Sequence, residues 1–188
     1  MSLGDEISKM VKGYMESEYN TTDSNSIPDK DSLSLGATAK DLSAVILFID
    51  IRESRLILGD HKRLFAVRAH KSFLYIASKC VRNEDGHIRG FGGDSLFAFF
   101  KGEDAEKRAV RSAMKIKKAV EEILNPILTA KESKVMDFGI GIARGDFLIA
   151  KSGVSGNEMY QDLIWIGWPM YHALEYANKA KSPKNIWI

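Results

Sequence analysis

A single cysteine, four histidines and no long apolar run exclude several kinds of protein. Cys80 alone cannot close an intramolecular disulfide, so this is no disulfide scaffold, and a reducing cytoplasm suits it. His61, His70, His87 and His172 are too scattered to suggest a metal cluster. The longest apolar run, Ala44 to Ile49, falls far short of the roughly twenty residues a membrane helix needs. The start lacks the basic-then-apolar layout of a signal peptide. Charge of one sign is also missing: 27 basic residues against 25 acidic leave a net charge of +2. Bulk electrostatics therefore suggest neither nucleic acid nor a membrane as partner. No internal repeat is visible. A hydrophobic fraction of 45% in 188 residues is enough for one ordinary globular core.

What is present centres on two short stretches. Ala44 to Ile49 reads as a buried strand, and it delivers Asp50 to the rim of a sheet. Gly86 to Phe91 and Ser95 to Phe100 read as two strands of a hairpin, with Gly92-Gly93-Asp94 at its tip. If the first strand lies beside the hairpin, Asp50 and Asp94 converge. Two adjacent carboxylates are unfavourable without a cation, and hard divalent ions prefer oxygen ligands. The pattern suggests a two-metal site. Strand-end aspartates and Gly-Asp turns are also common without any metal, so neither motif decides alone.

Around these, residues 5–18 predict an amphipathic helix, with Ile7, Met10, Val11, Tyr14 and Met15 on one face. It packs on its own domain or pairs with a second subunit. Residues 19–36 read as a polar linker, so we expect an N-terminal segment, 1–40, and a catalytic domain, 41–188. Helices are predicted over 60–82 and 103–124, the second stopped by Asn125-Pro126. A strand over 135–143 contains Gly139 and Gly141, which admit close approach of backbone or ligand, and Arg144-Gly145 closes it. A strand over 163–166, a helix over 169–181 and a strand over 185–188 complete the chain. This order predicts an α+β fold, a ferredoxin-like or palm-type sheet containing antiparallel strands with helices largely on one face.

From about residue 42 onward the motifs resemble the class III nucleotidyl cyclases, the adenylate and guanylate cyclase catalytic domains. Phe48-Ile49-Asp50-Ile51-Arg52, Gly86-His87-Ile88 through Asp94 to Phe100, and Phe138 to Gly145 are similar to family segments in the family's order. So are Trp165 to Met170 with Ala173, and the closing Asn185 to Ile188. The resemblance implies that Asp50 and Asp94 bind two divalent ions, Mn²⁺ or Mg²⁺, with the Ile51 carbonyl completing one site. It implies a nucleoside triphosphate substrate, contacted by Phe48, Ile51, Arg52, Glu53, Ser54, Gly93 and Arg144. It also implies a homodimer with sites at the subunit interface. Arg52, Arg55, Arg89, Arg144 and Lys151 are candidate phosphate ligands, Arg52 and Arg144 foremost because they adjoin motif residues. Trp168 and Tyr171 could stack on a base or serve the core or an interface.

The departures lie on the purine-reading side. Gly90 and Ile164 occupy the family's base-reading positions; Tyr171 and Glu175 replace its asparagine and catalytic arginine. Either the domain is an inactive nucleotide-binding module, or it uses another base. Asp50-Ile-Arg-Glu-Ser and Asp162 to Gly167 resemble the bacterial antiphage pyrimidine cyclases of the Pycsar type. That branch implies UTP or CTP, UTP narrowly preferred, and a cyclic pyrimidine nucleotide that signals to a separate effector. Gly92-Gly93-Asp94 is also similar to the diguanylate cyclase turn, but Ser95 stands where that turn carries a second acid.

Overall fold

The computed structural model describes residues 2–53 and 63–188. Two compact units emerge: residues 1–42 with 147–166, and residues 43–146 with 167–188.

In the first unit, helix α1 (Leu3–Glu16) opens with a Ser2–Asp5 capping box, in which each side chain satisfies the other's backbone N–H. It buries none of its residues; Ile7, Met10, Val11 and Tyr14 stay 46–54% exposed. The predicted linker is not without structure. It contains strand β1 (Asn20–Asp23), which pairs in parallel with the start of β2 (Thr38–Ile51). Strand β6 (Gln161–Ile166) pairs antiparallel with the later half of β5 (Phe138–Gly153).

The second unit carries the site. Its strands run in the order β3 (His87–Gly92), β4 (Ser95–Phe100), β2, β5, and β7 (Ile186–Trp187) lies parallel to β5. Alternation along β2 sends Val45, Leu47, Ile49 and Ile51 into the core, where they meet Leu96, Ala98 and Phe100 of β4. Helix α2 (Arg63–Asn83) covers this face with Ala66, Ala69, Phe73, Ala77 and Val81. Helix α3 (Ala105–Ala119) adds Ala109, Ala113 and Ile116. The buried stripe of α2 is narrower than its apolar content suggests: Leu64 and Val67 face solvent.

Asn125-Pro126 does not stop the second helix. A π-helical turn over Val120–Leu124 precedes α4 (Asn125–Glu132), and Pro126 sits in the first turn of α4, where its missing N–H removes no bond. The side chain of Asn125 accepts from Met136 N–H at 2.7 Å and donates to its carbonyl at 3.2 Å, which turns the chain towards β5.

The close approach expected at Gly139 and Gly141 is by backbone. Helix α5 (Trp168–Lys179) lies against them on the face opposite the main core, so not every helix shares one side. A Cβ on Gly141 would overlap Ala173 O and stand 2.6 Å from Ala177 N. Helix backbone cannot yield as a side chain would. Gly141→Ala should therefore lower unfolding stability by about 3 kcal/mol, an overpacking loss. A urea midpoint within error of the parent protein would refute this packing.

Candidate active site

β2 and β4 pair antiparallel in a register that sets Asp50 opposite Ser95, the residue after Asp94. The Ile51 N–H reaches Asp94 O at 3.4 Å across the same junction. The hairpin makes this possible. Gly93 takes φ +67°, the left-handed value that the first central position of a tight II′-type turn demands, and leaves Asp94 at the tip beside β2. Ser95 Oγ donates back to Gly92 O at 3.0 Å and braces the turn.

Burial and the charge of Asp94 both push the Asp50 carboxyl above its ordinary value, while Arg52 works weakly the other way. Among the described residues no group of three or more His, Cys, Asp or Glu side chains could hold a metal. The donor set on offer is two carboxylates plus backbone oxygen. That set fits a hard divalent ion that keeps water and phosphate oxygens as its remaining ligands.

Other expected contacts are placed differently. Arg52 turns its guanidinium to the end of α5: Nε donates to Ala180 O at 3.1 Å, and Nη2 donates to Ala177 O and to Ala180 O, the latter at 2.7 Å. A cation on the last carbonyls of a helix is a C-terminal cap. In this arrangement the side chain expected to meet phosphate serves the end of α5. The Arg52 N–H is also engaged, with Asp137 O at 2.9 Å. Glu53 adopts φ +49° immediately beyond, a sharp change of direction at the strand end. Ser54, Arg55 and His61 lie outside the described residues.

Arg144 pairs with Glu106 and lines a cavity of about 450 Å³ with Ser43, Ala44, Val45 and Lys101. It therefore adjoins the Ser43–Val45 part of β2. Five residues of strand separate Val45 from Asp50, roughly 17 Å at about 3.3 Å each. Within one chain Arg144 does not meet the aspartates. Phe48 does share their face, half-buried two residues from Asp50. Trp168 and Tyr171 are exposed on α5, their rings 6.1 Å apart, with His172 stacked on Tyr176 farther along the helix.

Asp137 was missed from sequence. Its Oδ1 accepts from Phe138 N–H at 2.9 Å, Ser182 N–H at 3.3 Å and Asn185 Nδ2 at 3.0 Å, and buried Asn185 also donates to Phe138 O at 2.7 Å. This network fixes the chain after α5 against the start of β5, next to Arg52. Its only sequence signal is a polar residue just before an apolar strand, which is too common to single out.

No family model matches the chain. A class III adenylyl cyclase-like ATP-binding protein from Pseudomonas aeruginosa superimposes with TM-score 0.77 at 20% identity, over 97% of this chain and 41% of that one. An adenylyl cyclase from P. aeruginosa gives 0.68 at 18% identity, over 79% and 76%. The fold is therefore that of the class III nucleotide cyclase domains, as the motifs suggested. In sequence the chain is 32% identical over 186 residues to a uridylate cyclase of Xanthomonas perforans, spanning 97% of this chain and 78% of that protein. A uridylate cyclase of Burkholderia cepacia is 31% identical over 190 residues, 99% of this chain and 82% of that one. The chain belongs to the uridylate cyclase family of nucleotide cyclases.

Two outcomes follow from the site geometry. Arg52→Ala should lower stability by about 1–2 kcal/mol through loss of the helix cap; a denaturation midpoint equal to the parent's would refute the capping role. The second concerns pH. A folded pKa above 3.8 means that Asp50 favours the fold below that value, an advantage lost as pH rises through its raised pKa. Asp94→Asn removes one cause of the shift, so in chelator its melting midpoint should exceed the parent's at pH 7 and the gap should close near pH 4. Identical melting curves at both pH values would show the two carboxylates to be uncoupled.

Proposed function

We propose that the chain converts UTP to 3′,5′-cyclic UMP and pyrophosphate, with Asp50 and Asp94 as the catalytic pair. The observation that carries this is the junction of Asp50 with Asp94 in a chain 31–32% identical, over nearly its whole length, to proteins named uridylate cyclase. The 3′-oxygen bonds to the α-phosphorus, the bond from that phosphorus to the bridging oxygen of the β-phosphate breaks, and the 3′-hydroxyl proton passes to solvent as pyrophosphate leaves.

Asp50, Asp94 and the carbonyl of Ile51 would hold two divalent ions, Mg²⁺ or Mn²⁺. Bound there, such ions would acidify the 3′-hydroxyl and neutralise charge on the phosphates. The protein's own part is orientation. The β2–β4 register sets Asp50 beside the hairpin tip, the Gly93 turn holds Asp94 at that tip, and Arg52 anchors the strand end to α5. Phe48 lies alongside, where it meets the nucleoside. Glu53 and Gly93 flank the strand end and the hairpin tip, where backbone amides can face a triphosphate; Ser54 is proposed to follow them from sequence alone.

Arg144 serves a site only across a subunit boundary, which favours a homodimer with composite sites. Tyr171 and Glu175, in place of the family's asparagine and arginine, leave transition-state stabilisation to other groups. A reducing cytoplasm fits the single cysteine, and no helix among the described residues is long and apolar enough to cross a membrane. A role in antiphage defence, through an effector that responds to the cyclic nucleotide, rests on the likeness to pyrimidine cyclases alone.

Purified protein with Mn²⁺ and ATP, GTP, CTP or UTP separately, its products resolved by mass spectrometry, tests this reading. Cyclic UMP is expected from UTP, with at least a thousandfold loss in Asp50→Asn or Asp94→Asn, as for removal of a central electrostatic group. A cyclic purine nucleotide as main product would overturn the choice of base. No product from any of the four would favour an inactive binding module.

A further inference from the structure

The net charge of +2 conceals an uneven distribution. Helix α2 has no acid among its 21 residues, yet it carries Arg63, Arg68, Lys71, Lys79 and Arg82. Leu64, Arg68, Lys71, Tyr75, Lys79 and Arg82 recur at steps of three and four residues, so they form one stripe along the helix. At 1.5 Å per residue that stripe is about 27 Å long. All of it is exposed, Leu64 to 71% and Tyr75 to 66%, on the side opposite the residues that cover the sheet. The cations of α3 are neutralised locally: Arg111 and Lys115 by Glu84, Lys107 by Asp104, Lys117 by Glu121. Among the described residues no carboxylate pairs with the cations of the α2 stripe.

A second row runs beside the first. Ile123, Ile127 and Lys131 follow at steps of four along the π-turn and α4, with Ile123 58% and Ile127 51% exposed. Between the rows opens a groove of about 840 Å³, lined by Phe65, Ile76, Leu124 and Leu128 together with Arg68 and Lys131. Large apolar side chains gathered on one surface and rimmed by unpaired cations mark a docking face.

We propose that the α2–α4 face seats the protein on an anionic lipid bilayer. The cations meet headgroup phosphates, while Leu64, Tyr75, Ile123 and Ile127 enter the boundary between headgroups and acyl chains. Unpaired positive charge calls for an anionic partner. The isoleucines argue against nucleic acid, whose backbone gives them nothing apolar to touch. A bilayer surface supplies both environments, phosphate outside and hydrocarbon a few ångströms deeper, and a tyrosine ring suits that boundary. Charge spread along the helix also matches many mobile headgroups better than one fixed carboxylate. Alternation along β2 puts Asp50 on the face of the sheet away from α2, so docking leaves that strand end open to nucleotide. The inference goes beyond the cyclase reading and stands without it.

Co-sedimentation of the full chain with vesicles, of phosphatidylcholine alone or with about one third phosphatidylglycerol, tests it. At about 0.1 M salt the anionic vesicles should bind more than tenfold more tightly than the neutral ones, and about 0.5 M salt should remove most of the difference. Lys71→Gln combined with Lys79→Gln should weaken binding about twentyfold, roughly fivefold for each cation removed. Ile127→Ser should weaken it several-fold and keep the salt dependence, since apolar contact is lost and charge is not. All three positions are exposed, so these variants should melt like the parent. Equal binding to both vesicles, or binding to neither, overturns the inference, and so does a double variant that binds like the parent. A duplex of about 30 base pairs bound more tightly than anionic vesicles would assign the face to nucleic acid. A changed sedimentation coefficient in Ile127→Ser would assign it to a contact between copies of the chain. Either result overturns the proposal as well.

Discussion

The antiparallel register of β2 against β4 is the constraint on which the site depends. It pairs Asp50 with Ser95 and Phe48 with Phe97, so the Asp50 carboxylate and the two aromatic rings share one face while Val45, Leu47 and Ile49 fill the core on the other. A slip of one residue would bury Asp50 and expose the core residues, a loss of several apolar side chains at about 2 kcal/mol each. The hydrophobic core therefore enforces the chemistry. Charge repulsion between the aspartates is tolerated because that register is not free to relax.

A second constraint holds the strand end. Helix α5 can lie directly on β5 because Gly139 and Gly141 present no side chains, and its last carbonyls then fall within reach of Arg52. Asp137 and Asn185 tie the following segment to the same point. The residues just past Asp50 are thus anchored from two directions, by backbone pairing and by a cation on a helix end. For the two-carboxylate site proposed above, rigidity here matters more than an added charge.

The elements legible in the sequence were those with a strong local signal. The apolar run before Asp50, the Gly92-Gly93-Asp94 turn and the amphipathic helices over residues 63–83 and 105–119 all stand near their expected places. Errors came where a distant contact outweighed a local rule. Pro126 sits at a helix start because a π-turn precedes it. Arg144-Gly145 does not end its strand: β5 runs on to Gly153, where β6 supplies a partner. The guanidinium of Arg52 caps carbonyls of residues 125 or more positions away, a contact that no local pattern announces.

By itself the sequence determined the strand–hairpin scheme, the two aspartates at its ends and the lack of a purine-reading residue at position 90. Those are properties of residue type and short spacing, which hydrophobic period and turn chemistry express directly. Tertiary structure alone decided that the guanidinium of Arg52 serves a helix end, that Arg144 stands far along the strand from Asp50, and that Gly90 is glycine because the ring of Phe97 lies over it. Each of these depends on which atoms of distant segments come together, and side-chain direction across a sheet is set by register, which no local spacing contains.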